Sequence, residues 1–369
     1  MNVHVQRDAF EPTIDAMLAR VAVVRPGDYA RTRNHIDGAV TCLSPYITHG
    51  FISLPELLAA LRQRHEIDDG HKLVYELAWR EYFHHVWRHA GDAIFASLHN
   101  GPLPDAAYLR ELPDDIRRGA TGVPVIDAAV RSLYATGWLH NHARMWLASY
   151  VVHLRKVHWR AGADWLYGHL LDGDLASNHL SWQWVAGTGS SKPYLFNAEN
   201  VARYAPRSWH SAGSVIDASY AALEAMARSD RPASGSAGQP VDEPRLLHAP
   251  PAGLTQTNTK LLADAWLVHP WALGEPPPGQ RALGVCFADF HRRWAWSERR
   301  WHFVVTRMAA LGASPVWCDT AIPTSASARA EPHLGARLQP ASLSPMQRLF
   351  AEPGRRYASF TQFWRAVHG

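Results

Sequence analysis

The pattern of apolar and polar positions is helical along most of the first two hundred residues. Apolar side chains recur at helical spacing over 55–65, 71–89, 124–136, 139–157 and 164–171. Between residues 10 and 209 no segment shows the alternation of a half-buried strand. The sequence therefore predicts a mainly α-helical fold for this part of the chain.

The pattern changes after residue 228. Residues 228–253 are rich in Pro, Gly and Ser, which predicts a linker or an exposed loop. Strands at 282–287 and 314–319 flank a helix at 297–311 that Ser297 caps, which indicates one βαβ unit. A loose segment at 323–342 precedes a last helix near 359–367. We therefore predict three parts: a helical domain (1–212), an irregular linker or covering segment (213–280) and a small α/β appendage (281–369).

Three polar or aromatic side chains share one face of a predicted helix that follows residue 174. Asp174, Asn178 and Trp182 are spaced four residues apart and therefore lie in one stripe. A carboxylate, an amide and an indole together suit a partly charged, redox-active ring system. The alternative is an N-cap, a solvated helix residue and a core tryptophan, and this stripe alone does not separate the two interpretations.

The helix predicted from residue 139 carries an arginine among apolar positions. Asn141, Arg144 and Met145 share its face with Ala148 and Val152. A guanidinium in such a place needs a partner, and we predict Asp172. Because buried ion pairs often add little net stability, this pair together with Asn141 indicates a ligand clamp.

These residues carry a resemblance. Residues from about 122 to 189 resemble the flavin-binding core of the cryptochrome/DNA photolyase family, through segments 122–129, 137–145, 171–176 and 182–184. Weaker likenesses are 43–47 with Gly50, similar to the family's phosphate-binding turn, and 76–82, similar to the helix beside its substrate. The resemblance implies a mainly α fold, a photolyase-type helical FAD-binding domain followed by the small C-terminal α/β segment. The family's N-terminal light-harvesting domain has no counterpart in this division of the chain.

The resemblance implies FAD as the cofactor, bound in a U shape among the helices. The residues it assigns to FAD are Tyr29, Thr41, Leu43, Ser44, Asn141, Arg144, Asp172, Asp174 and Asn178. Asn178 takes the place that faces the flavin N5 atom. Val40 precedes Thr41 where the family has a hydroxyl residue, so one phosphate contact is missing.

The resemblance also implies a substrate and a reaction. The expected partner is UV-damaged DNA, in which a flipped-out cyclobutane pyrimidine dimer is split by an electron from light-excited, reduced FAD. The residues it assigns to substrate and DNA are Glu76, Trp79, Arg80, Asn141, His142, Met145 and Trp184. Among these, Glu76 accepts a hydrogen bond, Met145 is a pocket wall, Trp79 and Trp184 stack, His142 replaces a frequent arginine and Arg80 contacts phosphate.

Photoreduction of the cofactor implies a relay of oxidisable rings. Trp182 and Trp159 match its first two members, and with Asn178 and Glu76 they form the predicted catalytic set. The position of the third tryptophan falls near Ala106. Either Tyr108, Trp146 or Trp165 completes the relay, or photoreduction is slow.

Composition changes this picture little. The 369 residues are 47% hydrophobic with a net charge of +4, and three cysteines are too few for a disulfide framework. All but four basic residues are arginines, which favours phosphate contacts, although base composition explains this equally well. With no secretory signal and no apolar run of ~20 residues, we predict a cytoplasmic, monomeric protein that binds no membrane.

Alternatives to repair remain open. Histidines 85 and 89 have metal-ligand spacing without an accompanying H-E-x-x-H pattern, so we predict no metal. The main alternative function is a blue-light photoreceptor that signals through the flavin redox state and the C-terminal region. An ordinary flavin oxidoreductase is disfavoured because no G-x-G-x-x-G follows a strand.

Overall fold

The computed structural model describes residues 9–235 and 238–368. Helices dominate up to residue 228, as the sequence predicts. The helices of the described residues are α1 (Ile14–Val23), α2 (Pro26–Thr32), α3 (Ser44–Thr48), α4 (Leu54–Arg62), α5 (Lys72–Ala90), α6 (Asp114–Arg117), α7 (Pro124–Thr136), α8 (Asn141–Ser149), α9 (Trp159–His169), α10 (Leu175–Ala186), α11 (Ala198–Tyr204), α12 (Tyr220–Arg228), α13 (Thr259–Leu262), α14 (Ala288–Arg293), α15 (Glu298–Ala310) and α16 (Phe360–His368).

Two predicted helices have different limits in the structure. The helix predicted over 139–157 is α8 followed by one wide π turn at Tyr150–Leu154, after which Lys156 has a φ of 53°. The turn changes the helix face, so Val152 does not join the face of Asn141 and Arg144. Helix α9 begins at Trp159 rather than near 164, because His158 acts as its N-cap and accepts from the Arg160 N–H at 3.2 Å.

Helix α10 lies at the centre of the helical part, against α5, α8 and α9. Its close approach to α9 depends on a glycine. A Cβ atom added to Gly162 would lie 2.3 Å from Cη2 of Trp182, so the indole packs on the bare backbone of α9. Both Trp182 and Trp159 are buried in the cluster that α7–α10 form.

The C-terminal region holds more sheet than the sequence predicts. The strands are β1 (Leu246–Leu247), β2 (Thr255–Gln256), β3 (Ala265–Val268), β4 (Arg281–Phe287), β5 (Trp296–Ser297), β6 (Pro315–Cys318), β7 (Ser327–Arg329) and β8 (Ser342–Ser344). The predicted unit of β4, α15 and β6 is present, its two strands are parallel, and Ser297 caps α15. It belongs to a six-stranded parallel sheet in the order β2-β6-β4-β3-β7-β8.

This sheet is doubly wound. From β3 the chain adds β4 and then β6 on one side, and later β7 and β8 on the other. In such sheets the crevice beyond the carboxyl ends of the two central strands is the usual ligand region. Here it lies past Val268 and Arg329, the last residues of β3 and β7. The segment predicted as loose, 323–342, contains β7 and so forms one wall of this crevice.

The sheet and the helices share an apolar core. Leu57 of α4 and Val74 of α5 belong to the same buried cluster as Leu267 of β3 and Val285 of β4. Strands β1–β3 and helices α12 and α13 lie inside 213–280, which is therefore more ordered than the predicted linker. The three-part division itself stays a prediction.

Part of that predicted linker is held against the helical surface. The Glu243 carboxylate accepts from Trp165 Nε1 at 3.0 Å and pairs with Arg117 at 3.0 Å. Strand β1 pairs antiparallel with β5. Every helix among the described residues is too short or too polar to cross a bilayer.

Candidate functional site

A cleft between α3, α5, α8 and α10 brings together most of the side chains that the sequence singles out. Its cavity volume is ≈ 290 Å³, at the lower end of the roughly 300–1,000 Å³ common for ligand pockets. The predicted residues that line it are Thr41, Ser44, Glu76, Arg80, Asn141, Arg144, Met145, Asp172, Asp174, Asn178 and Trp182.

The predicted pair of Arg144 and Asp172 is present in the wall of this cleft. Arg144 Nη2 donates to both Asp172 carboxylate oxygens, at 2.7 and 3.0 Å, and Arg144 Nε donates to the Leu139 carbonyl. The Asp172 side chain is only 2% exposed. The pair thus presents a fixed guanidinium and a fixed carboxylate to a ligand.

Asp174 caps α10 and is surrounded by cationic and imidazole groups. Its Oδ1 atom accepts from the Ser177 N–H, and its Oδ2 atom lies 2.9 Å from His84 Nε2 and 3.1 Å from Arg80 Nη2. Burial would raise the pKa of Asp174, but Arg80, His84 and His333 outweigh it and hold that pKa well below its ordinary value. The carboxylate is therefore ionised at neutral pH.

Arg80, which the resemblance assigns to DNA phosphate, is already paired in the structure. Its guanidinium turns inward to Asp174. The reason is helical spacing: Glu76, Arg80 and His84 are four residues apart on α5 and face the start of α10 together.

The Asn178 amide is oriented by the neighbouring helix. Its Nδ2 group donates to the Ala163 carbonyl of α9 at 2.8 Å. Since the NH₂ group is used in this way, the oxygen is the end available to a ligand N–H. Trp182, one turn further along α10, lines the same cleft.

The turn before α3 carries the residues expected at the phosphates. Thr41 and Ser44 line the cleft, and Ser44 Oγ accepts from Trp138 Nε1 at 3.1 Å. The Leu43 side chain differs from the expectation, because it is fully buried in the core and leaves only its backbone for contact. Tyr29 does not line the cleft; burial and the charge of nearby Glu76 raise the pKa of its hydroxyl.

The residues expected at the substrate form two groups. Glu76, Asn141 and Met145 line the cleft, and Asn141 is exposed. Glu76 is already paired, with Lys72 Nζ at 2.9 Å and Arg33 Nε at 3.2 Å. Its carboxylate therefore reaches a substrate only as part of this cluster.

Trp79, His142 and Trp184 do not line the cleft. Trp79 stacks on Phe360 of α16 with ring centres 3.9 Å apart, so one of its faces is covered. His142 stacks between Trp146 and Tyr204. Trp184 packs beside Tyr194 in the partly buried rim of the helical core. The family resemblance placed these three at the substrate, but the sequence could not show which neighbours cover them.

The predicted relay residues are arranged in order along α9. Trp182 packs on Gly162, and Trp159 lies three residues before Gly162 on the same helix face. The Trp159 Nε1 group donates to Ser97 Oγ at 3.0 Å. Tyr108 lies 6.2 Å from the ring of His158, the residue before Trp159.

The other two candidates for the end of the relay have structural partners. Trp146 donates to Asn200 at 3.1 Å and Trp165 donates to Glu243 at 3.0 Å, and both are buried. Tyr108 is only partly buried and lies beside His158, the residue before Trp159.

One group of possible metal ligands occurs among the described residues: His85, His89 and Glu352. His85 Nε2 accepts from the Tyr357 N–H, which requires the proton of the neutral ring on Nδ1, where it is shared with Glu352. Both ring nitrogens are thus engaged. The group connects α5 to the C-terminal segment, and the absence of a metal stays a prediction.

Several residues of the site were not predicted. Hydroxyl groups of Thr48, Ser177 and Ser181 line the cleft, and His84, His333 and Glu331 lie behind Asp174. The spacing of His84 four residues after Arg80 was a usable signal. His333 and Glu331 are more than 150 positions from Asp174, and no local pattern connects them.

Comparisons with known proteins agree on the helical part. Residues 73–226 match the model of the FAD binding domain of DNA photolyase. Residues 73–226 of this chain are thus a FAD-binding domain of the cryptochrome/DNA photolyase type.

The relatives include proteins named photolyase and proteins named cryptochrome. A deoxyribodipyrimidine photo-lyase of Streptomyces griseus is 38% identical over 167 residues, which are 44% of this chain and 36% of that protein. A cryptochrome DASH of Idiomarina loihiensis is 34% identical over 171 residues, or 44% of this chain and 38% of that protein. The chain thus spans little more than a third of these relatives.

A solved structure, the cryptochrome of Synechocystis sp. PCC6803, matches with a TM-score of 0.50 and 27% identity. The match covers 63% of this chain and 55% of that one. The prediction of a photolyase-type helical fold with a C-terminal α/β region is confirmed.

FAD is the cofactor of this domain, as the family match shows, and the side chains of the cleft fit it. Ser177 Oγ lines the cleft and, among the described residues, is buried without a hydrogen-bond partner. Such an atom is costly unless a ligand or water satisfies it. With the Asn178 oxygen, the ion pair of Arg144 and Asp172, and the turn at Thr41, the cleft offers donors and acceptors for ring and phosphates.

Proposed function

We propose that the protein repairs cyclobutane pyrimidine dimers in UV-damaged DNA by light-driven electron transfer from reduced FAD. The observation that carries the proposal is the composition of one cleft. Buried Asn178 and Trp182 and the exposed Asn141 beside Met145 line the same space. A flavin held at Asn178 and Trp182 would therefore lie next to a base held at Asn141 and Met145.

Bound, reduced FAD contributes one electron on illumination and regains it after the dimer has split, so no side chain has to act as nucleophile or base. The protein's own contribution is positioning. Asn178 offers an acceptor to a ring N–H, and the pair of Arg144 and Asp172 fixes the orientation of the cofactor. Asn141 and the Glu76 cluster would hold the extruded base by its edge.

Trp182 and Trp159 supply the route by which the cofactor is reduced in light. We infer that Tyr108 is the third member, because it lies beside His158 while Trp146 and Trp165 are buried and bonded elsewhere. Arg33 and Lys72, next to Glu76, are the cations best placed for DNA phosphate.

The test is illumination of the reduced holoprotein with UV-damaged oligothymidine. Recovery of thymine absorbance under blue light, and none in darkness, is the expected result. Glu76→Ala should lower the rate at least tenfold with FAD content unchanged, while Glu224→Ala, an exposed carboxylate on α12, should not. Absence of recovery by a fully reduced, FAD-loaded protein would contradict the proposal.

A blue-light photoreceptor is the second candidate. The favouring observation is that the C-terminal region contacts the site, through Phe360 on Trp79 and His333 near Asp174. A reversible photocycle without repair, accompanied by release of α16 from α5, would support it.

A further inference from the structure

A buried chain of charged and imidazole groups connects the cofactor cleft to the C-terminal sheet. His333 Nε2 lies 3.6 Å from Asp174 Oδ2 and accepts from the Leu175 N–H, while His333 Nδ1 lies 2.5 Å from Glu331 Oε1. The side chains of His333 and Asp174 are each 1% exposed. One imidazole thus stands between two carboxylates, one of which lines the FAD cleft.

The location of this histidine follows from the topology of the sheet. Glu331 and His333 follow β7, and Trp271 follows β3, so all three lie at the crevice where the winding of the sheet reverses. The His333 ring stacks on Trp271 with centres 4.5 Å apart and planes 14° apart. This stacking fixes the imidazole plane toward Asp174.

A second contact from the same region holds the turn that carries the two aspartates. Arg300 of α15, which is fully buried, donates from Nη2 to the Gly173 carbonyl at 2.6 Å and lies over the Trp296 ring. The turn between Asp172 and Asp174 is therefore fixed by the C-terminal region. The α/β region thus supports, from behind, the turn that carries Asp172 and Asp174 into the cofactor cleft.

We propose that His333 and Glu331 are positioning residues of the FAD site, which act through Asp174 to set the charge that the cofactor experiences. Among the described residues, the buried Asp174 carboxylate has Arg80, His84 and His333 as ion-pair partners, whereas the buried Glu331 carboxylate pairs with His333. A proton taken up at His333 Nε2 would replace the hydrogen bond from the Leu175 N–H with a charged contact to Asp174 Oδ2, and so would balance the second carboxylate. An imidazolium there favours the anionic reduced flavin over the oxidised form, because charge near the ring tunes its electronics.

Solvent protons have access to this network. His333 lines a second cleft together with Arg337 and Trp294, and Glu331 and His84 line a third beside Trp271. The titratable and charged groups that face or surround His333 are Arg80, His84 and Arg88 of α5, Asp174 of α10, His269 after β3, Arg293 of α14, and Glu331 and Arg337 of its own loop.

The experiment measures the reduction potential of FAD in the full-length holoprotein between pH 5.5 and 8.5. In the native protein the potential should rise on acidification by more than the flavin's own proton uptake requires. In His333→Gln this additional rise should be absent. At high pH the reduction potentials of this variant and of the native protein should coincide. His302→Gln, an exposed histidine on α15, should match the native curve.

Two more variants keep the test decisive if the glutamine variant folds poorly. His333→Phe retains the stacking on Trp271 without a titrating ring and should likewise lack the additional rise. Glu331→Gln removes the carboxylate that favours the imidazolium, so the rise should begin at lower pH. Curves of all three that superimpose on the native one would overturn the proposal.

The proposal rests on FAD in this cleft and not on repair. Failure of repair with the pH-dependent potential intact would refute the proposed function alone. A native curve without the additional rise, or an unchanged curve in the variants, would refute only the role of His333 and Glu331.

Discussion

At the scale of single residues, the cleft is defined by charges that are buried and paired. Asp172 and Asp174 are both nearly inaccessible, yet each meets a guanidinium, Arg144 for the first and Arg80 for the second. Burial of unpaired charge is strongly unfavourable. These pairs therefore keep two carboxylates ionised at the place where a cofactor binds, and each can be tested by removing one partner.

Loss of the guanidinium at position 144 should destabilise the apoprotein. Arg144→Met leaves the Asp172 carboxylate buried without its guanidinium partner, and we expect a loss of about 2–4 kcal/mol in the free energy of unfolding. Chemical denaturation measures it. Arg228→Met, which removes an exposed i,i+4 pair with Glu224, should cost less than about 0.5 kcal/mol. Equal losses in the two variants would contradict the assignment.

Trp182 should matter for light-driven reduction and little for binding. Trp182→Phe preserves an aromatic ring on Gly162 but removes the oxidisable indole. We expect FAD content to be retained and the rate of photoreduction to fall at least tenfold, as followed by bleaching of the oxidised flavin. Photoreduction at an unchanged rate would show that the relay does not start at this residue.

At the scale of elements, the helices that form the cleft were predictable and the contacts between them were not. Helix α7 was predicted with the observed limits, and the stripe of Asp174, Asn178 and Trp182 lies on one face of the cleft. Periodicity reports which face of a helix is apolar. It does not report that Phe360 of a distant helix covers Trp79.

The missed elements share a physical cause. Strands β3, β7 and β8 are four, three and three residues long, too short to show a period. Such strands are held by their neighbours in the sheet, and pairing between segments distant in the chain leaves no local signature. For the same reason, Glu331 and His333 could not be connected with Asp174 from sequence.

The packing of α10 on α9 gives an element-scale prediction. Gly162→Ala places a methyl group where the Trp182 ring lies, so the ring or the helix must shift. We expect a loss of about 1–3 kcal/mol in stability and slower photoreduction although both tryptophans are present. Unfolding curves and flavin bleaching provide the two readouts.

The matched control for this variant is Gly27→Ala on α2. There an added Cβ atom meets only the end of the Arg31 side chain at 3.6 Å, so stability should be unchanged or slightly higher. If Gly162→Ala behaves like this control, the helix approach does not depend on the glycine.

At the scale of the whole molecule, buried neutral histidines make the fold sensitive to acid. Burial lowers the pKa of His49 to about 3 and those of His153 and His269 to about 4. In the unfolded chain these rings take up protons near pH 6.5. Because the unfolded state then binds more protons than the folded state, stability falls as the pH drops below about 6.5.

The expected slope is measurable. Each of the three histidines contributes a loss that approaches about 1.4 kcal/mol per pH unit between roughly pH 5.5 and 4.5. Denaturant titrations across this range should show the decline. In His153→Gln the slope of the free energy of unfolding against pH should be smaller by about 1.4 kcal/mol per pH unit. A stability that stays constant down to pH 4.5 would contradict buried, neutral imidazoles.

The most direct test of the account is the titration of the apoprotein with FAD, followed by the change in flavin fluorescence. We predict saturation at one FAD per chain, affinity at least tenfold weaker in Arg144→Met, and unchanged affinity in Arg228→Met. A folded chain that takes up no FAD, or that binds it equally well in both variants, would show that this cleft is not the cofactor site.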